Sequence, residues 1–396
     1  MLREEARQCL TLCGCQPAVK SRGINLLSID GGGTRGMMGL EVLEQLEQES
    51  GKRICELFDY VIGVSTGSII ASLLVAKGYT IEECRTVYMD VSKRLFSQNR
   101  LTGVSGIVLN HSYYDTKKWV KMLKEVIGED STLIETSKSC IPRLAIVASI
   151  VNSPVLQVRF LSVDHMSFET MSHLLVEILI ILAILRISCG RLYRLSLLLH
   201  RYISKKLNSE IFCSKMVGLI AIFKVIANNP TAIGVHEAKL LWPDERFHCV
   251  VSVGNGRSVC YLDSEEAETP ANLGPLEKFN RIIDSATDTE GVHMCMHDLL
   301  DQNVYYRLNP YVTFPYGLDE IDPKRLEQMQ NDAKLYVRRN STKIKEAASR
   351  LLEVVIFFSF FCLSVRLMIC LRHKSGEKDG NVKAKINTVL FRQNFE

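Results

Sequence analysis

The chain has 396 residues, 47% of them hydrophobic and 23% charged. That composition excludes a disordered polymer and suits one large domain or two ordinary ones. A formal net charge of +4 is small for this length and does not point to nucleic acid as a partner. The charge is unevenly spread: residues 165–226 carry eight Lys/Arg against three Glu, a net of +5, and residues 366–396 carry seven against three acids, a net of +4, which leaves −5 for the remainder.

Taken in chain order, residues 1–23 read as a short polar lead-in, and the charged opening MLREEARQCL lacks the apolar core of a secretory signal. Ile24–Ile29 is a compact apolar run, the pattern of a buried strand. Met37–Gln48 places apolar residues at helical spacing with acids opposite. Phe58–Val64 predicts a second strand and Thr66–Ala76 a small-residue, buried helix. Ile81–Phe96 and Asp115–Ile127 predict amphipathic helices, the second capped by Asp115. Leu144–Val151, Val155–Leu161 and His248–Val253 predict further strands. After Pro323, Arg325–Leu352 predicts one long charged amphipathic helix, packed or solvated on the surface. Strands alternating with helices imply an α/β fold around a mostly parallel sheet.

Thirteen cysteines show no paired spacing. Cys9, Cys13 and Cys15 cluster, but no second cluster completes a zinc site. The cysteines read as reduced thiols, so the expected location is intracellular, cytoplasmic or peripheral to a membrane. Two segments break the α/β pattern. Residues 165–226 lack Pro and Asp and are rich in Leu, Ile, Ser and basic residues; their most apolar part, Ile178–Leu185, is too short for a bilayer span, which needs about 20 residues. Val354–Val365 stops at Arg366, and extended to Leu371 it becomes a marginal membrane span with one Arg inside; an interfacial helix with snorkelling basic residues is expected there ahead of a true span.

The chemistry concentrates in two motifs. INLLSIDGGGTRGMMGL, residues 24–40, runs from a strand into Asp30, three glycines and a helix. The Gly31-x-Gly33-x-x-Gly36 spacing also suits a dinucleotide fingerprint, which requires an acid closing the second strand. Asp59 instead precedes the second apolar run, and no Gly-Lys-Ser/Thr completes a nucleoside triphosphate loop. The second run closes with Gly63-Val64-Ser65-Thr66-Gly67. A G-x-S-x-G between a strand and a helix is the context of a nucleophile elbow, in which a sharp turn presents the serine to solvent. With Ser65 as nucleophile, the glycine run after a neighbouring strand offers N–H groups to the oxyanion of a tetrahedral intermediate. Loss of one such donor costs about 3–4 kcal/mol of transition-state stabilisation.

DGGGTRG followed by GVSTG resembles the patatin-like phospholipases. LFDYVIGVSTGSIIASLL, RLFSQN, SYYDTKKW, NNPTAIGVHEAKLLWPD, IDSATDTE and YYRLNP resemble the calcium-independent phospholipase A(2) gamma branch, over roughly residues 24–162 and 228–345. The resemblance implies a three-layer α/β/α sandwich over about 24–320, followed by a helix at 321–352 and an apolar, then basic, tail at 353–396. It implies hydrolysis of acyl esters of phospholipids or other lipids at a membrane surface, with Ser65 as nucleophile, Gly63 and Gly67 as elbow glycines, and Gly31, Gly32, Gly33, Arg35 and Gly36 as oxyanion loop. No cofactor and no metal are implied, and oligomeric state is not legible.

The sequence departs from the family at one point. The general base is an Asp in D-G-G or D-G-A, six residues before Asn-Asn-Pro. Here Asn228-Asn229-Pro230 is present, but Ile222 stands in the place of the Asp, and the departure coincides with 165–226. Three readings stay open: an altered splice or exon assignment, a catalytically dead lipid- or membrane-binding protein, or a substitute base such as Asp164, His236, His248 or His293.

Overall fold

The structure, a computed structural model, describes residues 16–96, 116–128, 141–150, 157–161, 228–258, 289–314, 316–317 and 319–353. Outside them lie the Cys9/Cys13/Cys15 cluster, the cap at Asp115, Asp164, all of 165–226 including Ile222, and the segment 354–396 with its apolar run.

The first half alternates strand and helix: β1 (Ile24–Ile29), α1 (Gly36–Ser50), α2 (Ile54–Leu57), β2 (Tyr60–Val64), α3 (Thr66–Val75), α4 (Ile81–Phe96), α5 (Thr116–Ile127), β3 (Arg143–Ile150) and β4 (Gln157–Leu161). The second comprises α6 (Thr231–Leu241), β5 (Phe247–Val253), β6 (Arg257–Ser258), α7 (Thr289–Leu299), β7 (Tyr305–Leu308), β8 (Tyr311–Val312), α8 (Pro323–Arg339) and α9 (Ser341–Leu352). Six strands form one sheet in the order β4-β3-β2-β1-β5-β7. All neighbours are parallel except β3 and β4, as the alternating pattern predicts. β6 and β8 form a separate parallel pair.

β1 and β2 are buried along their whole length, which is why they read as continuous apolar runs: a parallel sheet is covered on both faces. Leu27, Ile29, Val61, Val251 and Val253 pack with α1, α3, α4 and α9. The alternate residues Ile24, Leu26, Tyr60, Ile62 and Val250 pack with Ala238 and Trp242 at α6. The molecule is therefore the expected three-layer sandwich. Every residue of α3 is buried, as its small and apolar sequence allows. Gly51, at φ 65°, closes α1 in the left-handed conformation that favours glycine.

Three expectations are corrected in detail. The second strand begins at Tyr60, because Asp59 accepts the backbone N–H of Lys20 at 2.8 Å and of Asn25 at 2.9 Å and so marks the strand's entry. Asp59 is thus a structural cap at the end of the sheet remote from Ser65. The single helix expected after Pro323 is two helices broken at Asn340, whose side-chain amide donates to the Tyr336 carbonyl at 2.9 Å. Both helices bury an apolar stripe (Leu326, Met329, Ala333, Tyr336; Ile344, Ala347, Leu351), so 321–352 belongs to the packing of the sandwich. β7 and α7 have no counterpart in the sequence reading.

Candidate active site

Ser65 sits between β2 and α3 with φ 53° and ψ −126°. Among the described residues, only Asn303 shares a positive φ without being glycine. Such a backbone costs about 1–3 kcal/mol and persists only where its surroundings impose it. They do: a Cβ at Gly63 would lie 2.6 Å from the Gly67 carbonyl oxygen, and one at Gly67 would lie 2.6 Å from that of Ile29. The chain crosses itself too closely for any side chain but hydrogen. From Tyr60 to Val75 every residue is buried except Ser65, which is half-exposed. The first turn of α3 follows at once, with N–H groups that have no partner within the helix.

The glycine run leaves β1, the neighbour of β2, with Ile29 in register with Gly63, so both motifs emerge at the same end of the sheet. A Cβ on Gly31 would stand 3.0 Å from Ser65 Cβ and 2.6 Å from Asn228 Oδ1; glycine loop, serine and Asn228 converge there. Gly31 N–H donates to the Asn228 carbonyl and Gly32 N–H to Thr66 Oγ1, both at 3.2 Å. Gly33, at φ 56°, opens a 3₁₀ turn that ends at the half-buried Arg35, whose N–H donates to the Gly32 carbonyl at 3.1 Å. Gly36 begins α1, against the ring of Tyr88. The Tyr88 hydroxyl donates to the Gly33 carbonyl, and burial pushes this phenol's pKa upward, so it stays a donor.

Behind the loop lies a buried ionic network. Arg307 on β7 donates to Asp30 Oδ2 at 2.7 Å and to Ser252 Oγ at 2.9 Å. Burial pushes the Asp30 carboxyl up to about 6, against the pull of Arg307. Glu290 accepts from Asn309 and Arg257 at 2.9 Å each and lies 3.4 Å from Arg307. Although burial opposes it, these donors hold the Glu290 carboxyl below its ordinary range. The Asp30 carbonyl accepts from Asn255 at 2.6 Å. Thr231 Oγ1, at the start of α6, lies 2.9 Å from both Ser28 Oγ and Ser252 Oγ. Only the acid at Asp30 stood out in the sequence; Arg307, Asn255, Tyr88 and Asn228 as supports carry no local signal.

The histidines lie elsewhere. His236 is exposed on α6. His248 opens β5, at the opposite end of the sheet, with Nε2 2.8 Å from the Arg350 carbonyl. His293 stands beside Tyr305 and His297 on α7. Among the described residues no three His, Cys, Asp or Glu side chains gather to hold a metal.

The three-layer sandwich thus carries a strained serine on a strand-to-helix elbow, beside a glycine loop from the adjacent strand. Residues 27–162 match the model of the patatin-like phospholipases, and over that stretch the chain belongs to that family. Over 350 residues it is 34% identical to the calcium-independent phospholipase A2-gamma of Mus musculus, 88% of this chain and 42% of that protein. The Homo sapiens protein of that name is 33% identical over 351 residues, with the same coverage of each chain. Phospholipase A I of Arabidopsis thaliana is 26% identical over 387 residues, 84% of this chain and 28% of that protein. The chain thus spans less than half the length of these relatives.

Proposed function

We propose that the chain is a lipid acyl hydrolase of phospholipase A type. Ser65 Oγ attacks the carbonyl carbon of a fatty acyl ester in a phospholipid or related lipid; the ester C–O bond breaks, the alcohol leaves with a proton, and water then releases the fatty acid from the serine. Gly31, Gly32, Gly33, Arg35 and Gly36 frame the site of the oxyanion. The observation that carries this reading is the backbone of Ser65, held at φ 53° as the one partly exposed residue of a buried turn. The loop amides of Gly31 and Gly32 are held at 3.2 Å, the long end of the usual range, so receiving an oxyanion involves exchange of these partners. The substrate reaches the enzyme at a membrane surface, and the unpatterned cysteines fit a reducing, intracellular setting.

A second reading rests on Ile222. A serine hydroxyl is a weak nucleophile until a base takes its proton, and this chain has no carboxylate where the family's D-G-G or D-G-A supplies one. A patatin fold that binds lipid without turnover is the alternative.

Labelling the full chain with a fluorescent fluorophosphonate beside Ser65→Ala, with fatty acid release from phosphatidylcholine vesicles measured in parallel, separates the two. Label and fatty acid from the wild type alone uphold the hydrolase. A folded wild type that binds vesicles but takes no label and releases no fatty acid upholds the alternative.

A further inference from the structure

A second concave site lies along β7, where α7 and the junction of α8 and α9 enclose a cavity of about 670 Å³, within the range of small-ligand sites, about 300–1,000 Å³. Its walls carry Arg339, Lys343, His293 and His297, with amide and hydroxyl groups between them and a single acid, Glu346. Lys343 is half-buried, with Nζ donating to the Arg307 carbonyl at 2.8 Å. With Arg307, three cations and two imidazoles thus line one cavity with one carboxylate. The guanidinium of Arg307 is already neutralised by Asp30 and Glu290, so it consumes anionic partners and supplies none.

Two of the cavity's groups also sense their positive neighbours. Lys343 has its pKa lowered, first by burial and then by the positive neighbours Arg257 and Arg307. His293 is lowered too, first by burial and then by Arg307, Lys343 and His297, with Glu290 pulling the other way. The buried His293 Nδ1 has no hydrogen-bond partner, a condition that folded proteins ordinarily meet with ordered water or an ion.

We infer that this cavity is an anion site for a phosphate group, bound by Arg339 and Lys343 with His293 at its wall. Arg339 offers the planar donor fork that matches phosphate oxygens, and Lys343 adds a point charge. The same chemistry serves a soluble phosphate and the phosphate of a lipid headgroup. The site is built from α7, β7, α8 and α9, not from the elbow, so it goes beyond the hydrolase reading and stands whether or not Ser65 turns over.

The test is a titration of the ¹⁵N-histidine-labelled full chain with inorganic phosphate at constant ionic strength, following the ring resonances of His293. The expected result is a saturable shift and a rise in the His293 pKa, since a bound anion favours the imidazolium. Loss of a charge-assisted contact in Arg339→Gln or Lys343→Gln should weaken binding about tenfold, while Lys52→Gln, an exposed lysine outside the cavity, leaves it unchanged. Arg339 is itself exposed, so its variant keeps the test decisive if Lys343→Gln does not fold. No saturable shift, or the same affinity in Arg339→Gln, overturns the site. Co-sedimentation with phosphatidylcholine vesicles, with and without phosphatidic acid, then separates the sources. Arg339-dependent capture by the acidic vesicles assigns the lipid headgroup; phosphate binding without such capture assigns a soluble phosphate; capture without phosphate binding overturns the proposal.

Discussion

The two faces of the central sheet are made by alternate residues of the same strands, yet they differ in kind. Towards α1, α3, α4 and α9 the face is apolar beyond Asn25 at the start of β1, with Leu27, Ile29, Val61, Val251 and Val253 on Leu40, Leu43 and Leu46. Towards α6 and α7 it is apolar at the start of β1 and β5, where Ile24, Leu26 and Val250 pack with Trp242, and all along β2 and β3, through Tyr60, Ile62, Val64, Ala145 and Val147. Further along, three of the strands turn polar: Ser28 and then Asp30 at the end of β1, Ser252 on β5, Arg307 on β7. That change occurs at the end where Ser65 emerges. One face supplies stability; the other gives up apolar burial to fix the glycine loop through directional bonds, which hold geometry in a way that non-directional packing does not.

The largest expected effect falls on the polar face. Arg307→Leu leaves Asp30 buried without its partner and should cost about 3–5 kcal/mol, read from urea unfolding; adding Asp30→Leu should restore much of it. A loss no greater than that of a surface substitution would break the contrast between the faces. Next comes the apolar face: Leu43→Ala should cost about 2–5 kcal/mol as a cavity in α1, with no change in fluorophosphonate labelling per folded molecule. If labelling falls in step with stability, the faces do not divide the work as described. Thr231→Val, which removes the hydroxyl shared by Ser28 and Ser252, should cost about 1–3 kcal/mol and is measured in the same way. The smallest effect is a pH slope. Burial lowers the pKa of His248 from its ordinary 6.5, so its contribution to stability is present above 6.5 and is lost as pH falls through the lower folded value. His248→Asn should flatten that part of the stability profile; an unchanged slope would place the titration elsewhere.

Legibility in the sequence followed the reach of each interaction. β1, β2, α3 and the elbow were readable because strand, glycines and serine lie within a few residues of one another. Two-sided burial makes the strands plain apolar runs. β7 was not readable: four residues with Arg307 third among them match no strand period, and its charge makes sense only beside Asp30. The break at Asn340 was hidden because the apolar spacing of α8 and α9 continues across it, while the interruption comes from one asparagine amide returning to Tyr336. Asp59 could be dismissed as a ribose-binding acid from its position, but its work as a cap for Lys20 and Asn25 needed the fold.

The bond between Asp30 and Arg307 joins residues 277 positions apart. At synthesis rates of about 5–20 residues per second, the ribosome needs on the order of tens of seconds to pass from one to the other. Through that interval the nascent chain already carries the elbow serine, the glycine loop and the loop's support from Tyr88, but not the arginine that neutralises Asp30. The buried ion pair behind the loop is therefore among the last parts of the fold to be completed, and a chain that stops short of β7 holds both glycine motifs and the serine without the strut at their back.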